Sequence, residues 1–210
     1  MTRLLFILFF IFFPTLLYAE DSMMKIVYRH VGSNVIPGSF AATPLTLYRW
    51  GSTKLRAEEM PDPSMRLHGL IITNEKDIWM INLWNKTGKH AIDPGPTYNS
   101  HSPIIPPEPG RIPRASKFEF GKELLFMKDK GVKPKIELVK NENFLVYECE
   151  EEGLLIRLYV SPKTKQPVSV SVTEGANVLT QLEYDEYQPS LSPDASLFSP
   201  PKGIIFSEEK

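Results

Sequence analysis

Short apolar segments recur along most of the chain, and turn-forming residues separate them at intervals of roughly 8–15 residues. This rhythm is typical of an antiparallel β domain, because each short strand ends in a turn and pairs with the next. The 19 prolines and 12 glycines also favour a loop-rich β protein over a helical one. The predicted strands are Lys25–Val31, Pro44–Trp50, Lys54–Met60, Arg66–Thr73, Asp77–Leu83, Gly88–Ile92, Ile136–Val139, Phe144–Cys149, Leu154–Val160, Pro167–Thr173 and Val178–Tyr187.

One segment has the pattern of a helix instead. Ser116–Glu119 has the spacing of a capping box, and Phe120, Leu124 and Met127 follow at helical intervals. Lysines and a glycine then come where a helix C-terminus favours them. The sequence therefore predicts a helix at about 117–130 and a mainly β fold with α (the α+β class).

A Pro-rich loop is predicted over residues 93–113, which contain 7 of the 19 prolines. Proline cannot donate to a sheet ladder, and the segment is long for a simple connection. Two interpretations stay open. The segment is a surface loop held by polyproline conformation, or it is a flap over a binding site.

The first 19 residues have the features of an export signal. Arg3 supplies the positive charge, Leu4–Phe13 is an unbroken apolar run, and Ala19 is a small residue at the predicted cleavage site. The alternative is an uncleaved anchor, which is less favoured because the run is shorter than a membrane span and Pro14 interrupts it. The sequence therefore predicts a soluble, exported protein.

The remainder, residues 20–210, has the length of a single domain. With 24 Lys and Arg against 25 Asp and Glu, the net charge is −1, so nucleic acid is not an expected partner. The single cysteine, Cys149, excludes an intrachain disulfide framework, and a monomer is expected.

No catalytic or metal-binding motif stands out. The four histidines, His30, His68, His90 and His101, lack the spacing of metal ligands. Nucleophile-elbow, C-x-x-C and phosphate-loop motifs are also absent from the sequence. We therefore expect no enzyme activity, no cofactor and no metal.

Three stretches resemble the LolA-like family of periplasmic lipoprotein carriers and the related lipoprotein-sensing domains. The first comprises Leu45–Glu58 and Leu70–Trp79, with a basic residue after an early strand and a tryptophan after the following turn. The second is the helix placed between two series of strands. The third is the C-terminal stretch Asp194–Ile204, with its Phe-x-Pro-Pro-x-Gly-Ile ending. The chain is similar to a divergent member, because too few residues precede the first strand to form the family's N-terminal helix.

The resemblance implies a curved antiparallel half-barrel sheet wrapped around one or two helices. It also implies a soluble carrier or chaperone that holds lipoprotein acyl chains or another lipid in a cavity between sheet and helix. No covalent chemistry is involved, since an acyl chain gains about 0.8 kcal/mol per buried CH₂. Membrane-bound donor and acceptor proteins would be the partners.

For such a carrier, we expect the cavity to be lined by apolar side chains of the strands and the helix. The expected ligand-binding residues are Trp79, Ile81, Leu124, Met127, Ile156, Leu158 and Val170. Arg49 aligns with the family's basic residue that holds the lid closed, and Arg56 is the reserve candidate for this gating role. Hydrophobic periodicity alone does not distinguish a lined cavity from a filled core.

A different class of function stays open beside the carrier. The same fold would act as a periplasmic sensor or adaptor that binds a protein partner through the Pro-rich loop. A secreted hydrolase is a third and weaker hypothesis, because the sequence offers no catalytic constellation.

Overall fold

The structure, a computed structural model, describes residues 22–105 and 114–208. The predicted signal peptide and residues 106–113 of the predicted Pro-rich loop lie outside the described residues. The eleven predicted strands are confirmed to within a few residues, and the structure adds a twelfth at the C-terminus. The strands are β1 (Met23–His30), β2 (Leu45–Trp50), β3 (Lys54–Glu59), β4 (Gly69–Asn74), β5 (Asp77–Asn82), β6 (Thr87–Ile92), β7 (Lys135–Val139), β8 (Glu142–Glu151), β9 (Leu154–Val160), β10 (Pro167–Glu174), β11 (Asn177–Leu191) and β12 (Ile205–Glu208).

All twelve strands belong to one open, curved sheet, in the order β12-β6-β5-β4-β3-β2-β1-β11-β10-β9-β8-β7. Neighbouring strands are antiparallel, except that β12 runs parallel to β6. Most neighbours are also consecutive in the chain, because short turns join them as hairpins. β1 lies in the interior of the sheet, where it pairs with both β2 and β11.

Two long connections cross the sheet. The connection from β6 to β7, residues 93–134, joins strands ten places apart, or roughly 48 Å at the usual strand spacing. The connection from β11 to β12, residues 192–204, joins strands seven places apart, or roughly 34 Å. The described residues of each connection pack on one face of the sheet and cover it.

The two faces carry separate hydrophobic clusters, because side chains alternate along each strand. Met23 and Met24 are adjacent and both buried, yet Met23 belongs to one cluster and Met24 to the other. On β2, Leu47 lies in the first cluster and Tyr48 packs against the second. The β2–β3 hairpin is therefore a wall shared by two cores.

The first cluster lies between the strands and the β6–β7 connection. Its buried residues are Met24, Ile26, Tyr28, Leu47, Leu55, Ile104, Ala115, Phe118, Phe120, Phe126, Met127, Leu154, Ile156, Leu158, Val160, Val170, Val172 and Leu182. We call residues 100–105 and 114–132 the first cover. The second cluster is smaller, and its buried residues are Met23, Leu70, Ile72, Ile81 and Phe198. We call residues 194–204 the second cover.

The only α-helix within the described residues is α1 (Glu123–Asp129), so the prediction of a helix over 117–130 is wrong in its first half. Ser116 does not cap α1, whose N-cap is Lys122 without a side-chain hydrogen bond. Residues 118–120 instead pair with residues 102–104, since the amide of Phe120 donates to Ser102 O at 3.0 Å.

The backbone explains why the helix begins late. Gly121 has a φ of +81°, in the left-handed region, which interrupts a right-handed helix. A Cβ at this position would lie 2.1 Å from Met24 Sδ, so the turn also needs the absence of a side chain. The hydrogen bonds to residues 102–104 supply the partners that helical bonds would otherwise provide.

Within the part of the chain that the structure describes, no helix is both long and apolar enough to cross a membrane. The architecture of the described residues is mainly β, with a single large open sheet and one short α-helix.

Candidate functional site

Arg49 connects the sheet to the first cover. It lies on β2 beside Leu47 of the first cluster, and its side chain is only 5% exposed. Its Nη2 atom lies 3.0 Å from Oε2 of Glu119, whose side chain is 4% exposed. Its Nη1 atom donates to the carbonyl oxygen of Ser100 at 3.4 Å. One guanidinium therefore contacts both arms of the cover.

Glu119 has two further basic neighbours. His101 Nδ1 lies 2.6 Å from Oε1, and Lys122 Nζ lies 2.9 Å from Oε2. Burial alone would raise the pKa of Glu119, but the hydrogen bonds with His101 and Lys122 and the charge of Arg49 outweigh it. The pKa of Glu119 therefore lies below its ordinary value, and the group is a carboxylate at neutral pH. We call Arg49, Ser100, His101, Glu119 and Lys122 the Arg49 cluster.

The Arg49 cluster is incompletely hydrogen-bonded. Among the described residues, the buried Nε of Arg49 has no hydrogen-bond partner. Nη2 of Arg49 and Oε2 of Glu119 are close enough for an ion pair but are not aligned as a hydrogen bond. Buried polar atoms without partners cost free energy, so the closed arrangement stabilises the cover less than a fully bonded pair would.

The first residue of the helix in the first cover carries a buried carboxyl group. Glu123 is fully buried and accepts hydrogen bonds from Tyr184 at 2.7 Å and from Tyr187 at 3.1 Å. Burial raises the pKa of Glu123, although both tyrosines and the backbone amides of Gly121 and Glu123 oppose the shift. Burial also raises the pKa of Tyr184 well above its ordinary value. The start of α1 is thus fixed to β11 by polar contacts in an apolar setting.

Aromatic and aliphatic side chains fill the space under the first cover. Phe120 stacks on Tyr28 with ring centroids 4.1 Å apart, and Phe118 lies 5.1 Å from Phe126. Phe118 and Met127 are completely buried against the strands. In this arrangement the cover and the sheet interlock, so an acyl chain would have to displace side chains of the cover.

The structure divides the seven predicted ligand-binding residues between the two faces. Ile156, Leu158, Val170 and Met127 are buried together in the first cluster, and Leu124 packs against it. The other two, Trp79 and Ile81, belong to the second cluster on the opposite face of the sheet. The seven residues therefore do not line one common space.

The second gating candidate, Arg56, binds the second cover. Its Nη1 donates to the carbonyl oxygen of Leu197 at 3.2 Å, and its Nη2 lies 2.7 Å from Glu58. Glu58 also contacts His68 Nε2 at 3.1 Å. On the same face, Trp79 stacks on His90 with centroids 5.2 Å apart. Arg49 and Arg56 thus hold different covers on opposite faces.

A small cleft of about 50 Å³ lies where the loop after β1 approaches the β10–β11 hairpin. His30, Asn34 and Gln181 are among its lining residues. Its volume suits a few water molecules and not a hydrocarbon chain.

Sequence reasoning missed Glu119, Glu123, Tyr184 and Tyr187 as members of the polar contacts under the cover. A signal existed for Glu123, because a residue three positions after Phe120 falls on the predicted apolar stripe. A carboxylate on such a stripe must find partners in the core. The buried position of Glu119 could not be recognised, because its spacing from Ser116 matches a capping box at the start of a helix.

No family model matches the chain, and no curated protein matches its sequence. A crystal structure described as an uncharacterized conserved protein from Thermus thermophilus is similar to it, with a TM-score of 0.50 and 11% identity. The match covers 90% of this chain and 91% of the other. At this identity the similarity concerns the fold alone.

Proposed function

We propose that the protein is a non-catalytic carrier of the LolA-like type, which holds lipoprotein acyl chains or another lipid between its sheet and the first cover. In this proposal it is exported to the periplasm and exchanges its ligand with membrane-bound donor and acceptor proteins. The position of the first cover described above is then its closed position, from which a ligand must displace it.

The composition of the contact between cover and sheet supports this proposal. Phe118, Phe120 and Met127 from the cover meet Ile156 and Leu158 from the sheet. A hydrocarbon chain is chemically equivalent to the side chains it would replace, and burial of each CH₂ contributes about 0.8 kcal/mol. Displacement of the cover by an acyl chain would therefore exchange one apolar contact for another.

The observation that carries the proposal is the incompletely bonded Arg49 cluster at the boundary between sheet and cover. A cover whose only role is to bury the core does not need a buried guanidinium, because apolar side chains at such sites are often as stabilising as a buried ion pair. A latch has different requirements. It must hold the cover against the sheet before a ligand arrives and release it at modest cost when a ligand enters.

The test is uptake of a fluorescent fatty acid by the delipidated mature protein. We expect saturable binding that unlabelled palmitate displaces. Arg49→Gln removes the charge of the latch, so uptake should become about tenfold faster, the change expected for about 1.4 kcal/mol of lost closure energy, whereas release starts from the displaced cover and should change little.

Arg56→Gln is the matched control, because it removes the β3 arginine that contacts the second cover on the opposite face. We expect its uptake kinetics to remain within about twofold of the wild type. Failure of the stripped wild-type protein to bind any fatty acid would contradict the carrier proposal. Equal acceleration by both substitutions would contradict the latch.

A further inference from the structure

The first cover continues into a surface that exposes aliphatic side chains. Leu125 on α1 is 47% exposed, and Ile136 and Leu138 on β7 are 74% and 70% exposed. Ile136 pairs with Leu145, which packs against the first cluster, so Ile136 and Leu138 are on the face of the sheet that α1 covers. Three unpartnered aliphatic side chains therefore lie on one side of the molecule.

Lysines flank these side chains in the sequence. Residues 124–140 contain five lysines and two acidic residues, although the whole chain has a net charge of −1. Lys128, Lys133 and Lys140 are exposed, and none forms a salt bridge with any residue that the structure describes. We call Leu125, Lys128, Lys133, Ile136, Leu138 and Lys140 the α1–β7 surface.

The acidic groups near this surface cancel only part of its charge. Asp129 is exposed at the end of α1, and Glu142 is exposed after the β7–β8 turn. Glu137 is on the other face of β7, because it alternates with Ile136 and Leu138. Glu151 lies 2.5 Å from Nζ of a different lysine, Lys130. The surface thus keeps a positive excess beside its apolar side chains.

Because β7 is an edge strand, the α1–β7 surface can bind two kinds of partner. One is a strand added to the sheet, and the other is a membrane. Lysines along an edge strand oppose pairing with another strand, and β7 is preceded by Lys133 and Pro134 and begins with Lys135. The same lysines favour an anionic bilayer, whose interface also accepts single aliphatic side chains.

We propose that the α1–β7 surface docks the protein on membranes that contain anionic phospholipids. The lysines contact the headgroups, while Leu125, Ile136 and Leu138 enter the boundary between headgroups and acyl chains. This inference does not depend on acyl-chain transport, since it concerns an exposed surface and not the space beneath the cover.

The test is co-sedimentation of the mature protein with phosphatidylcholine vesicles that contain either no phosphatidylglycerol or about a third of it. We expect binding only to the anionic vesicles and weaker binding at high salt. Each lysine near an anionic surface contributes about fivefold in partitioning. The triple variant Lys128→Glu, Lys133→Glu, Lys140→Glu should therefore bind at least about 100-fold more weakly.

A matched triple variant makes the same charge change at the other end of the sheet. Lys76, Lys86 and Lys202 are exposed and lie near β4, β5, β6 and β12, so their replacement by Glu should leave most binding intact. The double variant Ile136→Ser, Leu138→Ser, at unchanged charge, should bind several-fold more weakly. Circular dichroism establishes that each variant is folded.

Three outcomes would overturn the proposal. The wild type binds neither kind of vesicle, or both lysine triples lose binding equally. In the third, the wild type is a dimer by light scattering and Ile136→Ser, Leu138→Ser converts it to a monomer, which makes the surface an interface between two copies.

Discussion

Arg49 and Arg56 lie on the two strands of one hairpin and point to opposite faces of the sheet. Arg49 is buried with Glu119 beneath the first cover, whereas Arg56 reaches the backbone of the second cover at Leu197. A buried ion pair contributes to stability in a different way from an exposed one. Removal of one partner leaves an uncompensated charge, but removal of both does not.

Arg49→Met should therefore lower the free energy of unfolding by about 3 kcal/mol, measured by urea denaturation at pH 7. The double variant Arg49→Met, Glu119→Leu should be more stable than Arg49→Met alone, because it also removes the buried carboxylate, which the single change leaves with only Lys122 and His101 beside it. Arg29→Met, at a 41% exposed arginine paired with Glu183, is the control and should cost less than about 1 kcal/mol. A double variant that is less stable than the single one would contradict this account.

Glu123 gives a prediction with a defined pH dependence. Because its folded-state pKa is raised, the folded protein holds the proton more tightly than the unfolded chain does. The stability contribution of the protonated group is thus fully present below its ordinary pKa. It is lost as the pH rises through the raised value.

Glu123→Gln removes this titration. We expect the wild type to have a higher free energy of unfolding than the variant, and this difference should be larger at pH 4 than at pH 8. Glutamine also disturbs the hydrogen bonds from Tyr184 and Tyr187, which should cost about 1–3 kcal/mol at pH 4. Denaturant titrations at both values measure the difference. A difference that grows toward pH 8 would show that Glu123 is stabilised as a carboxylate.

At the scale of elements, the strands were predictable and the first cover was not. Strands such as Leu154–Val160 are specified locally, by alternation and by flanking turns. The segment before α1 has helical spacing in Ser116, Glu119 and Phe120, yet it pairs with residues 102–104. That pairing joins parts of the chain that local periodicity does not connect, so tertiary contacts decide it.

Gly121→Ala distinguishes the two conformations. In the interior of a helix, alanine would stabilise by about 1 kcal/mol relative to glycine. At a φ of +81° and beside Met24, we expect a loss of about 1–3 kcal/mol in the free energy of unfolding. Gly131→Ala is the control, since its φ is +68° but the space around it is open, and its loss should be smaller. Stabilisation by Gly121→Ala would indicate a longer helix.

The candidate site was also only partly predictable. Arg49 is a gating candidate through the resemblance to the LolA-like family, and the structure puts it against the first cover. Trp79 and Ile81 were grouped with Ile156 because each alternates correctly within its own strand. Alternation predicts which residues share a face of one strand. It does not relate the faces of strands that are distant in the sheet, which depends on the complete strand order.

At the scale of the molecule, the sheet has two edges, β12 and β7. β12 pairs with β6 over four residues, Ile205 to Glu208, and is the strand that the sequence did not reveal. It is short and contains no long apolar pattern. Its contribution is to cover the backbone of β6, which would otherwise be open to pairing with another chain.

Deletion of residues 205–210 should expose β6. Hydrogen exchange of the β6 amides should become at least about tenfold faster, while β1 and β11 remain protected in the interior of the sheet. Mass spectrometry measures the exchange, and light scattering should detect oligomers formed through the new edge. Deletion of residues 209–210 alone is the control. Unchanged exchange in β6 would mean that β12 contributes no protection.

The two crossing connections also have a mechanical consequence. Their described residues pack on opposite faces of the same curved sheet, and each connection joins strands several places apart. We call each crossing connection a strap. Flattening the sheet would stretch one strap and slacken the other, and tighter curling would do the reverse. Two opposed straps therefore limit bending in both directions. Cutting either strap with a site-specific protease should release motion in one direction only.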